Sequence, residues 1–190
     1  MRIIGGIYRG RVLRTLRGQA VRPTGERLRE SLFDVLGDSI LGTVFVDCYA
    51  GSGAVGLEAL SRGAAQVFLV EENEAAQRLI EQNLASLGSP HHAVLLRLSA
   101  RRGLRRLEEQ SVRARFCFLD PPYDSPRERE RTLRCLANSP LVEPEGKVIV
   151  QHDRKDSPGE SVGPWRRERV LAQGSNALSF YGKPIGGRQS

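Results

Sequence analysis

The chain has no run of about 18 apolar residues, so nothing in it reads as a membrane-spanning helix. It begins Met1-Arg2-Ile3-Ile4-Gly5-Gly6, without the apolar stretch or Ala-x-Ala site of a secretory leader, and the cytoplasm is the expected compartment. Cysteine is scarce: Cys48, Cys117 and Cys135 form no C-x-x-C pair, which argues against a disulfide framework and against a zinc site. Cys48 and Cys117 sit in apolar runs, where a free thiol behaves as a small buried hydrophobe. His91, His92 and His152 lack ligand spacing, so no metal is expected. Internal repeats and low-complexity segments are absent as well.

What is present is an ordinary globular composition, 39% hydrophobic and 27% charged over 190 residues, enough for one domain with a real core. The net charge of +7 is unevenly spread: residues 1–30 carry +6, residues 31–159 carry −2 and residues 160–190 carry +3. Arginine outnumbers lysine 26 to 3, which base composition of a genome would explain, but composition does not explain eight arginines in the first 30 residues. Such a patch attracts a polyanion.

The first twenty residues alternate apolar and basic around Gly5-Gly6 and Gly10, as in a β-hairpin or extended arm. Arg22-Pro23-Thr24-Gly25 reads as a loop, with Thr24 capping a helix from Glu26 in which Leu28, Leu32, Leu36 and Ile40 recur every four residues. Strand and helix patterns then alternate: strands at 43–47, 66–71, 93–98, 115–119 and 147–151, helices at 54–62, 74–87, about 100–110 and 126–137. That rhythm implies a parallel sheet with helices on both faces. It breaks at the end, where 165–171 and 177–181 read as an antiparallel pair at the sheet edge.

Two strand ends carry chemistry. Asp47 closes the first core strand, and Tyr49-Ala50-Gly51-Ser52-Gly53 leads into a helix; Gly51, Gly53 and Gly56 spell G-x-G-x-x-G. Glu71 ends the next strand, where a carboxylate takes the hydroxyls of an adenosine ribose. The motif alone also fits a nicotinamide-dependent oxidoreductase, but Asp47 in the mouth would repel a pyrophosphate and favour the ammonium and sulfonium of S-adenosylmethionine. The fourth strand ends in Asp120-Pro121-Pro122-Tyr123. An exocyclic amine of a base is a poor nucleophile. Asp120 and the Pro121 carbonyl can accept its two hydrogens, Pro121 and Pro122 add no competing N–H, and Tyr123 can stack on the base. Asp-Pro-Pro is also plain turn chemistry.

These segments resemble the RsmD-type bacterial methyltransferases, which modify guanine N2 in small-subunit (16S) ribosomal RNA. The resemblance includes Met1 to Gly6, Tyr8-Arg9-Gly10-Arg11, Arg22-Pro23-Thr24, Arg29 to Phe33, Tyr49 to Gly53, Gly56 to Ala64 and the Asp120 to Tyr123 loop. It implies a class I, Rossmann-like α/β fold: a seven-stranded, mostly parallel sheet with an N-terminal hairpin. The expected organisation is one domain over 1–183, with a basic arm (1–25), a core (26–183) and a disordered tail at 184–190. The resemblance assigns Asp47, Tyr49, Gly51, Ser52, Gly53, Glu71, Ser99 and Ala100 to S-adenosylmethionine. It assigns Asp120, Pro121, Pro122 and Tyr123 to the target base, and Arg9, Arg11, Arg22, Thr24, Arg27 and Arg29 to RNA. The chain is expected to act as a monomer on ribosomal RNA, bare or within an assembling small subunit. Ser99-Ala100 departs from the acidic residue or Asn of many methyltransferases, and Ala172-Gln173-Gly174 departs from an aromatic-Gly pattern. Methylation of an adenine amine in DNA or RNA, a nicotinamide-dependent oxidoreductase, and an RNA-binding module without catalysis are the remaining alternatives.

Overall fold

The computed structural model describes residues 1–15, 23–122 and 126–184. Strands β1 (Val44–Asp47), β2 (Gln66–Val70), β3 (Ala93–Leu96), β4 (Ala114–Leu119), β5 (Val142–Asp153), β6 (Ser161–Val162), β7 (Trp165–Gln173) and β8 (Asn176–Gly182) form one sheet in the order β3-β2-β1-β4-β5-β8-β7-β6. β1 to β5 run parallel, and β8 is antiparallel to both β5 and β7. The expected terminal pair is therefore present, with β8 inserted inside β7. The sheet has eight strands rather than seven, because two residues, Ser161 and Val162, pair along β7 and cover its outer edge.

The strand period of two sorts side chains into two cores. Phe45, Phe116, Phe118, Ile149 and Phe180 pack with Ile3 and Leu13 of the N-terminal segment and with helices α1 (Pro23–Leu36), α2 (Ala54–Ser61) and α3 (Glu74–Ser86). Val46, Cys117, Leu119, Val148 and Val150 pack with α4 (Ala100–Glu109) and α5 (Pro126–Ala137). None of the described helices is long and apolar enough to cross a membrane.

Three local expectations change. α1 begins at Pro23, so Thr24 lies within its first turn and is not its cap. Proline suits the first helical position, where its missing N–H has no partner to lose. The four-residue period runs on to Ile40, but through a 3-10 turn (Gly37–Ile40) after Gly37 takes a φ of 49°. β5 starts at Val142 rather than Lys147. Its first residues pair only with β4, since β8 covers only Lys147–Asp153, and a strand with one neighbour tolerates Pro144. Of the expected tail 184–190, all but Pro184 lies outside the described residues.

The N-terminal segment makes one bridge, Arg2 with Val12, flanked by Ile3 N–H to the Arg11 carbonyl and Leu13 N–H to the Met1 carbonyl. It is a looped hairpin lashed to α2. The Ile4 and Gly5 amides donate to the two oxygens of Glu58 (both 2.8 Å), and the Ile7 and Tyr8 amides donate to Ser61. Gly6 is required there: a Cβ would fall 1.7 Å from the Ser61 carbonyl oxygen, at a φ of 75°.

Candidate functional site

From β1 the chain runs one way to β2 and β3 and the other way to β4 and β5, so a crevice opens beyond the carboxyl ends of β1 and β4. A cavity of about 1100 Å³ fills it, walled by Asp47, Tyr49, Gly51, Ser52, Glu71, Ala100, Asp120, Pro121 and Pro122. Apart from Tyr123, which lies outside the described residues, the sequence-predicted cofactor and reaction residues thus meet in one place. Gly53 and Ser99 are the exceptions. Gly53 caps α2 with a φ of 79° and serves the turn. Ser99 stands at the N-cap position of α4 without a side-chain cap, while its neighbours Leu98 and Ala100 line the cavity.

The glycines of the loop act differently. Gly51 and Gly53 take left-handed backbone, which favours residues without a Cβ. Gly56 serves packing: a Cβ there would stand 2.3 Å from Leu69 Cδ2, so it lets α2 lie against β2. Glu71 braces the turn, one oxygen accepting from Gly51 N–H and the other from Asn73 N–H, both at 2.8 Å.

Asp47 is buried. Its Oδ2 accepts from Gly56 N–H at 3.1 Å, and its Oδ1 has no hydrogen-bond partner among the described residues. Burial, against the Gly56 hydrogen bond and reinforced by the Asp120 and Glu71 carboxylates, raises its pKa to about 7. Burial raises Asp120 to about 7 as well. An orphaned carboxylate oxygen in a low-dielectric wall is a site waiting for a cation. Together with Glu71 it fits a ligand bearing an ammonium and a ribose, and the concentration of carboxylates disfavours a pyrophosphate. Tyr49 extends the wall toward α5, its hydroxyl 2.7 Å from Thr132 Oγ1, and burial pushes its phenol up.

The basic residues divide. Arg9, Arg11 and Arg27 are exposed, and none has an ion-pair partner among the described residues. Arg29 is only 5% exposed and borders the cavity. Its Nη2 donates to the Arg2 carbonyl at 2.6 Å and its Nε stands 3.5 Å from Glu58 Oε2, beside the cavity wall. Burial lowers its pKa against the pull of Glu58. Arg22, Tyr123 and the side chain of Thr24 lie outside what is described.

Met1, Leu28, Leu32, Gln151 and Leu178 also line the cavity and escaped sequence reasoning. Gln151 had a signal, since it ends the predicted strand 147–151 and chemistry gathers at such ends. Glu58 had one too, within the Gly56 to Ala64 block, but no role could be read for it.

A family model described as conserved hypothetical protein 95 matches residues 1–182. Ribosomal RNA small subunit methyltransferase D of Escherichia coli K12 is 32% identical over 181 residues, covering 95% of this chain and 89% of its own length. The protein of the same name from Haemophilus influenzae is 33% identical over 182 residues, covering 95% and 93%. A solved Escherichia coli chain assigned as a methyltransferase, yhhF, superposes with a TM-score of 0.83 at 31% identity, covering 96% of this chain and 97% of its own.

Proposed function

This chain belongs to the RsmD-type methyltransferase family, with its class I fold, and on that premise we propose that it transfers a methyl group from S-adenosylmethionine to the N2 amine of a guanine in small-subunit ribosomal RNA. The observation that carries the reading is the meeting of Asp47, Glu71 and Asp120 on one cavity at the sheet's switch point. The relatives' names support ribosomal RNA as the substrate class.

S-adenosylmethionine supplies an electrophilic methyl group on a sulfonium. Asp47 Oδ1 would accept from its ammonium, and Glu71 from its ribose hydroxyls. Asp120, when ionised, accepts a hydrogen bond from the guanine amine and directs its lone pair toward the methyl carbon. On methylation, positive charge would grow on the amine nitrogen, and Asp120 would stabilise it and receive or relay the released proton. A pKa of about 7 suits a proton acceptor at neutral pH. Pro121 and Pro122 hold the loop without adding donors, and Tyr123 supplies a stacking ring. Arg9, Arg11, Arg22 and Arg27 receive the RNA backbone, while Arg29 braces the arm. The chain acts as a monomer in the cytoplasm, on bare RNA or an assembling particle.

The test is transfer of a labelled methyl group to undermodified small-subunit RNA, bare and in partly assembled particles, followed by mapping. Label on a guanine N2 is expected. Label on an adenine, or none in either substrate, would sink the reading.

A further inference from the structure

Asn83, near the end of α3, is 1% exposed and spends its whole amide on two distant segments. Its Oδ1 accepts from Arg14 N–H at 2.8 Å. Its Nδ2 donates to the Arg14 carbonyl at 3.1 Å and to the Ser52 carbonyl at 2.9 Å. The amide's orientation is fixed, because only oxygen can face the Arg14 N–H and only nitrogen can face two carbonyls. One side chain therefore ties the basic N-terminal segment to the glycine turn on the cavity wall.

The tie meets a second contact one residue away. Ser52 follows Gly51, whose N–H is held by Glu71 at 2.8 Å. Glu71 is the carboxylate that the proposed function gives to the ribose hydroxyls, so a bound cofactor must share or displace that bond. The Gly51-Ser52 backbone then responds, and Asn83 is the only described side chain that hydrogen-bonds both the Ser52 carbonyl and the Arg14 backbone. Exposed Arg9 and Arg11 lie between this anchor and the Glu58 anchor at Ile4 and Gly5.

We infer that Asn83 is a positioning residue that couples occupation of the cofactor side of the cavity to the RNA affinity of the N-terminal arm. The inference rests on the function proposed above and adds a linkage between its two ligands. A ligand shifts an equilibrium only through an interaction that differs between states, and the Glu71–Gly51 bond, which a ribose on Glu71 would share or displace, is the one this inference invokes.

The test titrates a labelled fragment of undermodified small-subunit RNA into the full chain, with and without saturating S-adenosylhomocysteine. In the parent chain S-adenosylhomocysteine tightens RNA binding by about fivefold or more, and RNA tightens S-adenosylhomocysteine binding by the same factor. In Asn83→Ala the ratio of the two RNA affinities falls to about one. If that variant fails to fold, Asn83→Ser carries the same comparison. A purely structural amide would weaken RNA binding equally in both states and leave the ratio intact, and that result overturns the inference. A parent chain that binds both ligands independently overturns the inference alone and leaves the proposed function standing. A parent chain that binds neither ligand overturns both.

Discussion

Glu58 and Asp47 are both carboxylates withdrawn from water, at 0% and 1% exposure, and they are treated in opposite ways. Glu58 accepts from two backbone amides and from Arg62 Nε at 2.9 Å, with Arg29 beside it. Asp47 has the Gly56 amide at hydrogen-bond distance, a weaker pull from the Tyr49 backbone, one oxygen unpaired among the described residues and two further carboxylates acting on it. The first arrangement is complete in the folded chain and fixes the arm to α2. The second is incomplete, and burial holds its charge at a cost that a cationic ligand would offset. Of these two carboxylates, the one with both oxygens bonded ties the arm to α2, and the one with an oxygen unpaired among the described residues lies on the cavity wall. Asp120, also raised by burial, lines the same cavity as Asp47.

The largest effect is expected at Glu58. Glu58→Ala strands buried Arg29 and leaves the Ile4 and Gly5 amides without acceptors. Removing one partner of a buried pair costs about 3–5 kcal/mol, which urea unfolding would read. A loss below about 1 kcal/mol would mean that the anchor does not hold the arm. Next is Asp120→Ala, expected to lower kcat by about 10²- to 10³-fold while S-adenosylhomocysteine binding by calorimetry survives. Near-normal turnover would remove Asp120 from the chemistry.

The difference between the two sites was partly legible in sequence. Asp47, Gly51, Glu71 and Asp120 could be placed on one sheet edge, because the switch from strand to helix periodicity marks each strand end. Their pairing states could not. The pairing of Arg29 with Glu58 could not be read, because Glu58 sits on another helix. Asn83 carries no pattern at all: it is one amide in a polar helix, and only the fold brings Arg14 and Ser52 to it. The start of α1 was missed because Arg22-Pro23-Thr24-Gly25 is good turn chemistry, and proline favours turns and first helical turns alike.

At Asp47 a smaller effect bears on whether the second carboxylate is truly unsatisfied. Its folded pKa is about 7 against an ordinary 3.8, so the folded state binds the proton more tightly. That contribution to stability is fully present below the unfolded value and is lost as pH rises through about 7. Asp47→Asn keeps an oxygen for Gly56 N–H and removes the charge. The variant should be more stable than the parent by about 1 kcal/mol above neutral pH, with the gap closing toward pH 4. It should also lose affinity for S-adenosylhomocysteine. Thermal unfolding from pH 4 to 8 checks the sign, and a variant less stable than its parent at pH 8 would show that Asp47 is satisfied after all.

The smallest effect lies on the arm that Glu58 holds. Arg9 and Arg11 are exposed and make no ion pair among the described residues, so their removal costs the fold little. Each arginine–phosphate pairing that is removed reduces the salt dependence of RNA binding by about one unit of slope. Arg9→Ala with Arg11→Ala should therefore flatten the slope of log K against log salt by up to about two, with unfolding unchanged. The contrast with Glu58→Ala is the informative part. Both should weaken RNA binding, one by removing charges from a docked arm and the other by undocking an arm that keeps its charges. If the double variant leaves the slope unchanged while Glu58→Ala lowers affinity, the arm contributes shape rather than charge, and the phosphate contacts must come from elsewhere on the surface.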